Sequence, residues 1–306
     1  MRRRRTARDS WFPGWLWPSF ATPAVVWLLL MFVLPFYVIL SVAFGSINPL
    51  FLTAEPVYSP LQWSFAPFRG VIRDLATSGS IQQEVLLRTF TYVGVATVLC
   101  LVIGYPVAYF IARHARRTKV LFLVAFMAPF WISYMMRMFA WVNLLQPDGY
   151  VNRILVSLGI LSEPRLWLVG KPSTVILGLV YGYVPFMILP LFATLDRIEP
   201  SLIEAARDAG SGQVRTFTRV TLPLSKQGIL AGCIIVALPM FGDYFTQTLL
   251  SSTRQTAMFG NLIVGSIESS LVNTGASLVV GMMILLIVPM LYYLRTTNAA
   301  RELASR

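Results

Sequence analysis

Apolar residues gather into six long blocks along this chain, approximately Pro23 to Phe44, Thr89 to Ala112, Val120 to Leu145, Thr174 to Leu195, Gly228 to Leu250 and Ser277 to Leu294. Each is about twenty residues long, enough at ~1.5 Å per residue to cross ~30 Å of hydrocarbon. The pattern predicts an all-α integral membrane protein with six transmembrane helices and both termini on one side. It also divides the chain: a basic N-terminus and interfacial segment (1–22), a first span (23–44), an outer loop (45–88), a five-helix core (89–295) and a C-terminal tail (296–306). The first run follows a basic stretch but is too long for the apolar part of a signal peptide and lacks a convincing cleavage site, so it reads as a span. Trp11, Trp15 and Trp17 before it suit an interfacial aromatic belt.

One internal stretch interrupts the apolar pattern most sharply, Pro200 to Pro223. Pro200 stops the preceding helix, Ser201 caps a new one, and Glu204 three positions on completes an S-x-x-E capping box, so a short helix is expected from Leu202. Leu202, Ala205, Ala206 and Ala209 would share one face and Gly210 would supply a left-handed stop. A second short helix would carry Val214, Phe217 and Val220 on one side and Arg215 and Arg219 on another, until Pro223 ends it.

Composition fits the pattern: 56% of the 306 residues are hydrophobic and only 12% charged, with a formal net charge of +12. In a soluble domain that charge would raise nucleic acid as a partner, but its placement is a topology signal. With the N-terminus inside, 17 Lys and Arg fall in cytoplasmic segments, from Arg2 to Arg5 and Arg8 through Arg113, Lys119, Arg197, Lys226 and Arg295 to Arg306, against 7 in outer segments. Such charge suits anionic lipid headgroups.

The outer loops differ in character. Residues 46 to 88 hold Pro49, Pro56, Pro60 and Pro67 with interspersed aromatics and an amphipathic piece around Val71 to Leu75. Gln146 to Pro172 opens with a Pro-Asp-Gly turn and offers Val151 to Leu158 as a short helix stopped by Gly159. Either loop could receive a soluble protein or lie along the lipid. Proline falls in each block, at Pro35, Pro106, Pro129, Pro185, Pro190, Pro239 and Pro289, either as pivots for alternating access or as ordinary membrane-helix composition.

Arg137 and Asp243 are charges inside the third and fifth blocks, where ionisable residues are costly and face a cavity or a partner. Two readings stand open: an Arg137–Asp243 ion pair joining the spans, or Asp243 on the translocation path meeting a cationic solute. Trp131, Tyr134, Tyr183 and Tyr244 bring rings and hydroxyls nearby, with Tyr181 and Phe245; rings and one carboxylate suit an organic cation. No G-x-x-x-x-G-K-[ST] motif occurs, so ATP chemistry is not expected in this chain. His114 reads as a solvated residue at a basic membrane edge, and Cys100 and Cys233 suggest neither a disulfide framework nor a metal site.

The register Glu204-Ala205-Ala206, Gly210 six residues after the glutamate, Val220, then Leu222-Pro223 resembles the EAA loop of permease subunits of binding-protein-dependent ABC importers, Val220 standing where that pattern usually has Ile. Further stretches extend the resemblance to the branch that supplies the first permease of spermidine/putrescine importers. They are Tyr105-Pro106 with Tyr109, Ala128 to Trp131 with Arg137, Gly149 to Asn152, Tyr183 to Leu191 and Phe259 to Ile263. The resemblance implies a type I ABC importer permease fold in a bacterial plasma membrane, with cytoplasmic coupling helices that dock through Glu204, Ala205, Ala206, Gly210, Leu222 and Pro223. It implies as partners a second homologous permease, a dimeric cytoplasmic ATPase that binds ATP and Mg, and an extracytoplasmic binding protein, with no cofactor in this chain and no catalytic role. Permeases for thiamine or ferric ion share the scaffold, and an ion-driven carrier is a further alternative.

Overall fold

The structure is a computed structural model that describes residues 15–47 and 54–304. Arg2 to Arg5, Arg8, Trp11, Pro49 and Arg306 lie outside the described residues, as do the side chains of Trp17 and Arg301. Two compact units are present, one formed by Met1–Val71 with Ser266–Gly281, the other by Ile72–Gly265 with Met282–Arg306.

In the first unit, α1 (Leu16–Ala43) is apolar on every side. Val25 to Leu34 are each about half exposed or more, and a helix that is hydrophobic all round belongs to a membrane span or a buried core rather than to a water-facing surface. Its last turn is anchored. Carbonyls at a helix C-terminus lack intrahelical donors; here Asn273 Nδ2 donates to the Val42 carbonyl (3.1 Å) and Ser277 Oγ to that of Ala43 (3.2 Å). Phe44 then packs against Trp63, Phe65 and Phe68 at ring separations of 5.2, 4.8 and 5.6 Å. A two-residue antiparallel pairing joins β1 (Ser46–Ile47) to β2 (Ala54–Glu55).

The second unit is helical. Its elements are α2 (Ala66–Ala76), which begins in the first unit, then α3 (Ile81–Arg113), α4 (Lys119–Met127) with a 3₁₀ turn Ala128–Trp131, α5 (Tyr134–Leu145), α6 (Tyr150–Ser157) and α7 (Pro172–Asp196). After these come α8 (Pro200–Asp208), α9 (Gln213–Thr216), a π turn Phe217–Thr221, α10 (Leu222–Leu224), α11 (Lys226–Phe241), α12 (Phe245–Leu250), α13 (Phe259–Glu268) and α14 (Val272–Ala304), which passes from the first unit into the second. Helices α3, α7 and α11 pack on one another around Ala96, Cys100, Ala108, Leu179, Met187, Leu191, Val236 and Met240. Small residues bring membrane helices close enough for dispersion to hold them.

Among the described residues four helices are long and apolar enough to cross a membrane, Pro18–Ala43, Ile81–Arg113, Pro172–Asp196 and Val272–Arg295. The expected third and fifth spans are not continuous helices. Residues 120–145 break at Ile132–Ser133, the pair Lys119–Trp131 and Tyr134–Ser157 bending by 82°, and residues 228–250 break at Gly242–Tyr244. A further 62° bend separates Gln213–Leu224 from Lys226–Phe241, so the described residues hold four helices long and apolar enough to cross, or up to six such segments if each bent pair is one span. Hydropathy counts apolar residues and is blind to where the backbone turns.

The shorter elements match more closely. Gly159 (φ +71°) ends α6 as expected, and His114 is exposed at the C-terminus of α3. The piece expected around Val71 to Leu75 is the longer α2, and α3 starts eight residues before Thr89, shortening the loop that precedes it.

Candidate functional site

The loop between α7 and α11 is built largely by local rules. Helix α8 starts at Pro200 with Glu199 before it, two residues earlier than expected. The Ser201–Glu204 capping box does not form: Ser201 Oγ points back to Glu199 Oε2 at 3.3 Å. The physical reason is Pro200, which fits the first helical turn because its missing N–H would be unpaired there anyway, and it carries Ser201 inside the helix. The other end follows expectation. Gly210 has φ +80°, its N–H donates to the Arg207 carbonyl (2.8 Å) and Ser211 N–H to that of Ala206 (3.0 Å), the two bonds of a Schellman stop.

Ile203 and Ala206 form the half-buried side of α8, so of the expected stripe Ala206 turns inward while Leu202, Ala205 and Ala209 do not. Leu202, Glu204, Ala205 and Gly210 are exposed, as are Val214, Leu222 and Pro223. Pro223 does not end the second helix, which runs through Leu224 and breaks at Ser225. The preceding π turn, in which the Leu222 N–H reaches the Phe217 carbonyl, changes the bonding pattern just where Pro223 supplies no donor, so the proline is absorbed.

This loop is tied to the end of α3. Phe217 sits edge-on to Tyr105 and Tyr109 (5.7 and 6.0 Å), the Tyr105 and buried Ser225 hydroxyls meet at 2.9 Å, and Arg113 Nη1 donates to the Ile198 carbonyl at 3.0 Å. Lys119 pairs with Asp196 at the end of α7. Beside α8 lies a cavity of about 410 Å³ lined by Thr194, Arg197, Ile198, Glu199, Leu202, Leu224 and Gln227.

A second polar site lies at the break between α11 and α12. Asp243 is 7% exposed. Its Oδ1 accepts from the Thr246 backbone N–H (2.9 Å), so the carboxylate caps α12. Its Oδ2 accepts from the hydroxyls of Thr246 (2.7 Å), Tyr134 (2.8 Å) and Tyr183 (3.4 Å). Tyr134 opens α5 and also contacts the Thr246 hydroxyl. It approaches α7 at Gly182, where a Cβ would stand 2.6 Å from Tyr134 Cε2. Three elements thus converge on one carboxylate.

The Arg137–Asp243 ion pair is absent. Arg137 is 8% exposed and its guanidinium lies 4.1 Å from the Phe130 ring centroid, 5.4 Å from Tyr134 and 5.8 Å from Tyr181. The break at Ile132–Ser133 starts a new helix at Tyr134, so the tyrosine, not the arginine one turn on, reaches Asp243. Of the other expected residues, Tyr183 joins the site. Tyr244 packs on Phe245 (4.0 Å) while its carbonyl accepts from Asn261, and Trp131 is 80% exposed and outside the set that holds Asp243. Thr246 was missed; a threonine three residues after an aspartate in a helix-breaking Gly-Asp pair is the signal that could have found it.

Residues 101–297 match the family described as "Binding-protein-dependent transport system inner membrane component". The spermidine/putrescine transport system permease protein PotB of Escherichia coli K12 is 36% identical over 184 residues, 60% of this chain and 64% of that protein; PotB of Haemophilus influenzae is 36% identical over 183 residues, 60% and 63%. The chain therefore spans a little under two thirds of these relatives' length. The inner membrane ABC transporter permease protein YdcU of Escherichia coli K12 is 32% identical over 222 residues, 68% of this chain and 70% of YdcU. Among solved structures, a chain of a bacterial alginate ABC transporter in complex with alginate pentasaccharide-bound periplasmic protein superposes with a TM-score of 0.70 at 17% identity, covering 91% of this chain and 92% of that one. The fold is shared with that protein.

Proposed function

Because the chain belongs to the family of binding-protein-dependent transport system inner membrane components, we propose that it is a permease subunit of an ATP-driven importer that moves a polyamine, spermidine or putrescine, across a bacterial plasma membrane. The observation that carries this reading is the loop of residues 200–224: α8 is stopped by Gly210, exposes Glu204 and Ala205, and is fastened to the end of α3 through Phe217 and Ser225. A cytoplasmic ATPase dimer docks there and supplies the ATP chemistry with its Mg ion. ATP binding closes that dimer, displaces α8, and the displacement enters the bundle through Tyr105 and Tyr109. A second, homologous permease completes the path, an extracytoplasmic binding protein delivers solute, and both termini are cytoplasmic.

Asp243 is the acceptor for the solute's ammonium group. Its carboxylate is held by hydroxyl donors rather than by a cation, so its charge is screened but not cancelled, and an ammonium group can replace a hydroxyl donor with a charge-assisted bond. Rings of Tyr134 and Tyr183 stand beside it for cation–π contact. The test is ATP hydrolysis by the reconstituted complex with spermidine, putrescine, thiamine or ferric ion added in turn. Stimulation by a polyamine alone is the expected result; stimulation by another solute replaces the polyamine assignment, and turnover independent of the ATPase removes the importer reading.

A further inference from the structure

The buried cation at Arg137 has no part in the site so far. Its Nε and Nη1 are buried and donate to nothing, and among the described residues no carboxylate comes within ion-pair distance of it. Leaving guanidinium N–H groups unpaired away from water is costly, and ring faces offset only part of that cost. Phe130, within the 3₁₀ turn Ala128–Trp131, supplies the nearest ring, at 4.1 Å. Tyr134 supplies another, and the same tyrosine donates its hydroxyl to Asp243. A phenol hydrogen-bonded to a carboxylate has a more electron-rich ring, so the two opposite charges are linked through one side chain without touching.

Resting on the reading that Asp243 faces the solute path, we propose that Arg137 is a specificity-determining residue of that site. Its positive charge offsets the carboxylate's field, so that Asp243 does not capture compact inorganic cations. A carboxylate alone in a low-dielectric wall is a ready ligand for a hard cation such as calcium, which coordinates oxygen. A guanidinium nearby opposes that capture; it cannot be neutralised by losing its proton, and in a poorly polarisable medium its repulsion is felt over several ångströms. An elongated organic cation escapes most of it, because one ammonium group gains hydrogen bonds and ring contact while its remaining charges lie further off. Arginine barriers in selective pores act by the same physics. Rings are suited to holding the guanidinium because, unlike a carboxylate, they leave its net charge intact.

The test is spermidine uptake by right-side-out vesicles carrying the assembled transporter, titrated with calcium on the outside. Arg137→Gln is expected to lower the half-inhibiting calcium concentration by roughly tenfold or more, the effect of removing one repelling charge held across the Tyr134 side chain from the carboxylate. Equal calcium sensitivity in the glutamine variant overturns the inference. If the glutamine variant does not reach the membrane, Phe130→Leu decides. Loosening the nearest ring frees the guanidinium to approach Asp243 and raises the half-saturating spermidine concentration several-fold; no change overturns the inference. Asp243→Asn tests the premise by itself. Normal uptake in that variant removes the reading beneath, whereas lost uptake there with an unaltered calcium response in Arg137→Gln removes the inference alone.

Discussion

The loop of residues 200–224 and the knot around Asp243 are both polar structures in an apolar chain, but they are made in opposite ways. The loop is assembled by neighbours in sequence: Pro200 fits a first turn, Gly210 takes a left-handed conformation, and the hydrogen bonds that stop α8 span no more than five residues. The knot is assembled by distance. Tyr134 and Asp243 are 109 positions apart and Tyr183 and Asp243 60 apart, and their meeting depends on two helix breaks and on the bare surface of Gly182. The loop presents its chemistry outward with its backbone already set, whereas the knot buries its chemistry and is only as accurate as the packing of three elements.

Gly210→Pro should separate the two regions most strongly. Proline cannot adopt φ +80° and removes the N–H that reaches Arg207, a local cost of about 3 kcal/mol or more. Uptake is expected to be lost while the detergent-extracted protein keeps its thermal stability; equal loss of both would mean that the loop is part of the core. Glu204→Lys, on the exposed side of α8, should likewise abolish uptake without lowering membrane levels, and unchanged uptake would remove the docking assignment.

Gly182→Val attacks the knot instead. Its added carbon atoms collide with the Tyr134 ring, and overpacking of this kind costs about 1–3 kcal/mol. The expected result is a lower midpoint of thermal unfolding, with basal ATP hydrolysis by the surviving complex unaffected. Tyr134→Phe is gentler. It deletes one donor to a buried carboxylate, a loss of about 1.5–3 kcal/mol for a charged hydrogen bond, reduced where Thr246 and Tyr183 share the load. A double-mutant cycle with Asp243→Asn should recover most of that loss as coupling energy.

Ser201→Ala should do least. A serine that caps a helix contributes ~1 kcal/mol, but Ser201 is inside α8 and its hydroxyl turns back to Glu199, so a change below ~0.5 kcal/mol is expected for an exposed position. A larger loss, measured by thermal unfolding, would restore the capping box that the structure replaces.

The same contrast explains what was legible in the sequence. Gly210, the α6 stop at Gly159 and the long apolar helices α1, α3, α7 and α14 follow from local propensity and hydropathy, so they were visible. The EAA register was visible for the same reason, since its residues lie close together. The breaks at Ile132–Ser133 and Gly242–Tyr244 were not, because both sit in apolar runs that satisfy any length rule. Missing them placed Arg137 opposite Asp243, when the new helix start put Tyr134 there. Ser201 misled in the other direction: a four-residue pattern matched, but Pro200 had already claimed the first turn.

The π turn Phe217–Thr221 has a consequence for the geometry of everything after it. It holds one residue more than an α-helical turn needs, and each residue advances an α-helix by roughly 100°. The surplus therefore sets the rotational phase of the segment that follows, and with that phase Ser225 faces Tyr105 while Phe217 lies between two tyrosines. A chain shortened by one residue within this turn would wind as an ordinary helix, the same side chains in the same order, with Ser225 rotated away from its partner. What joins the loop to α3 is thus a phase angle stored in a single extra residue, as much as any one bond.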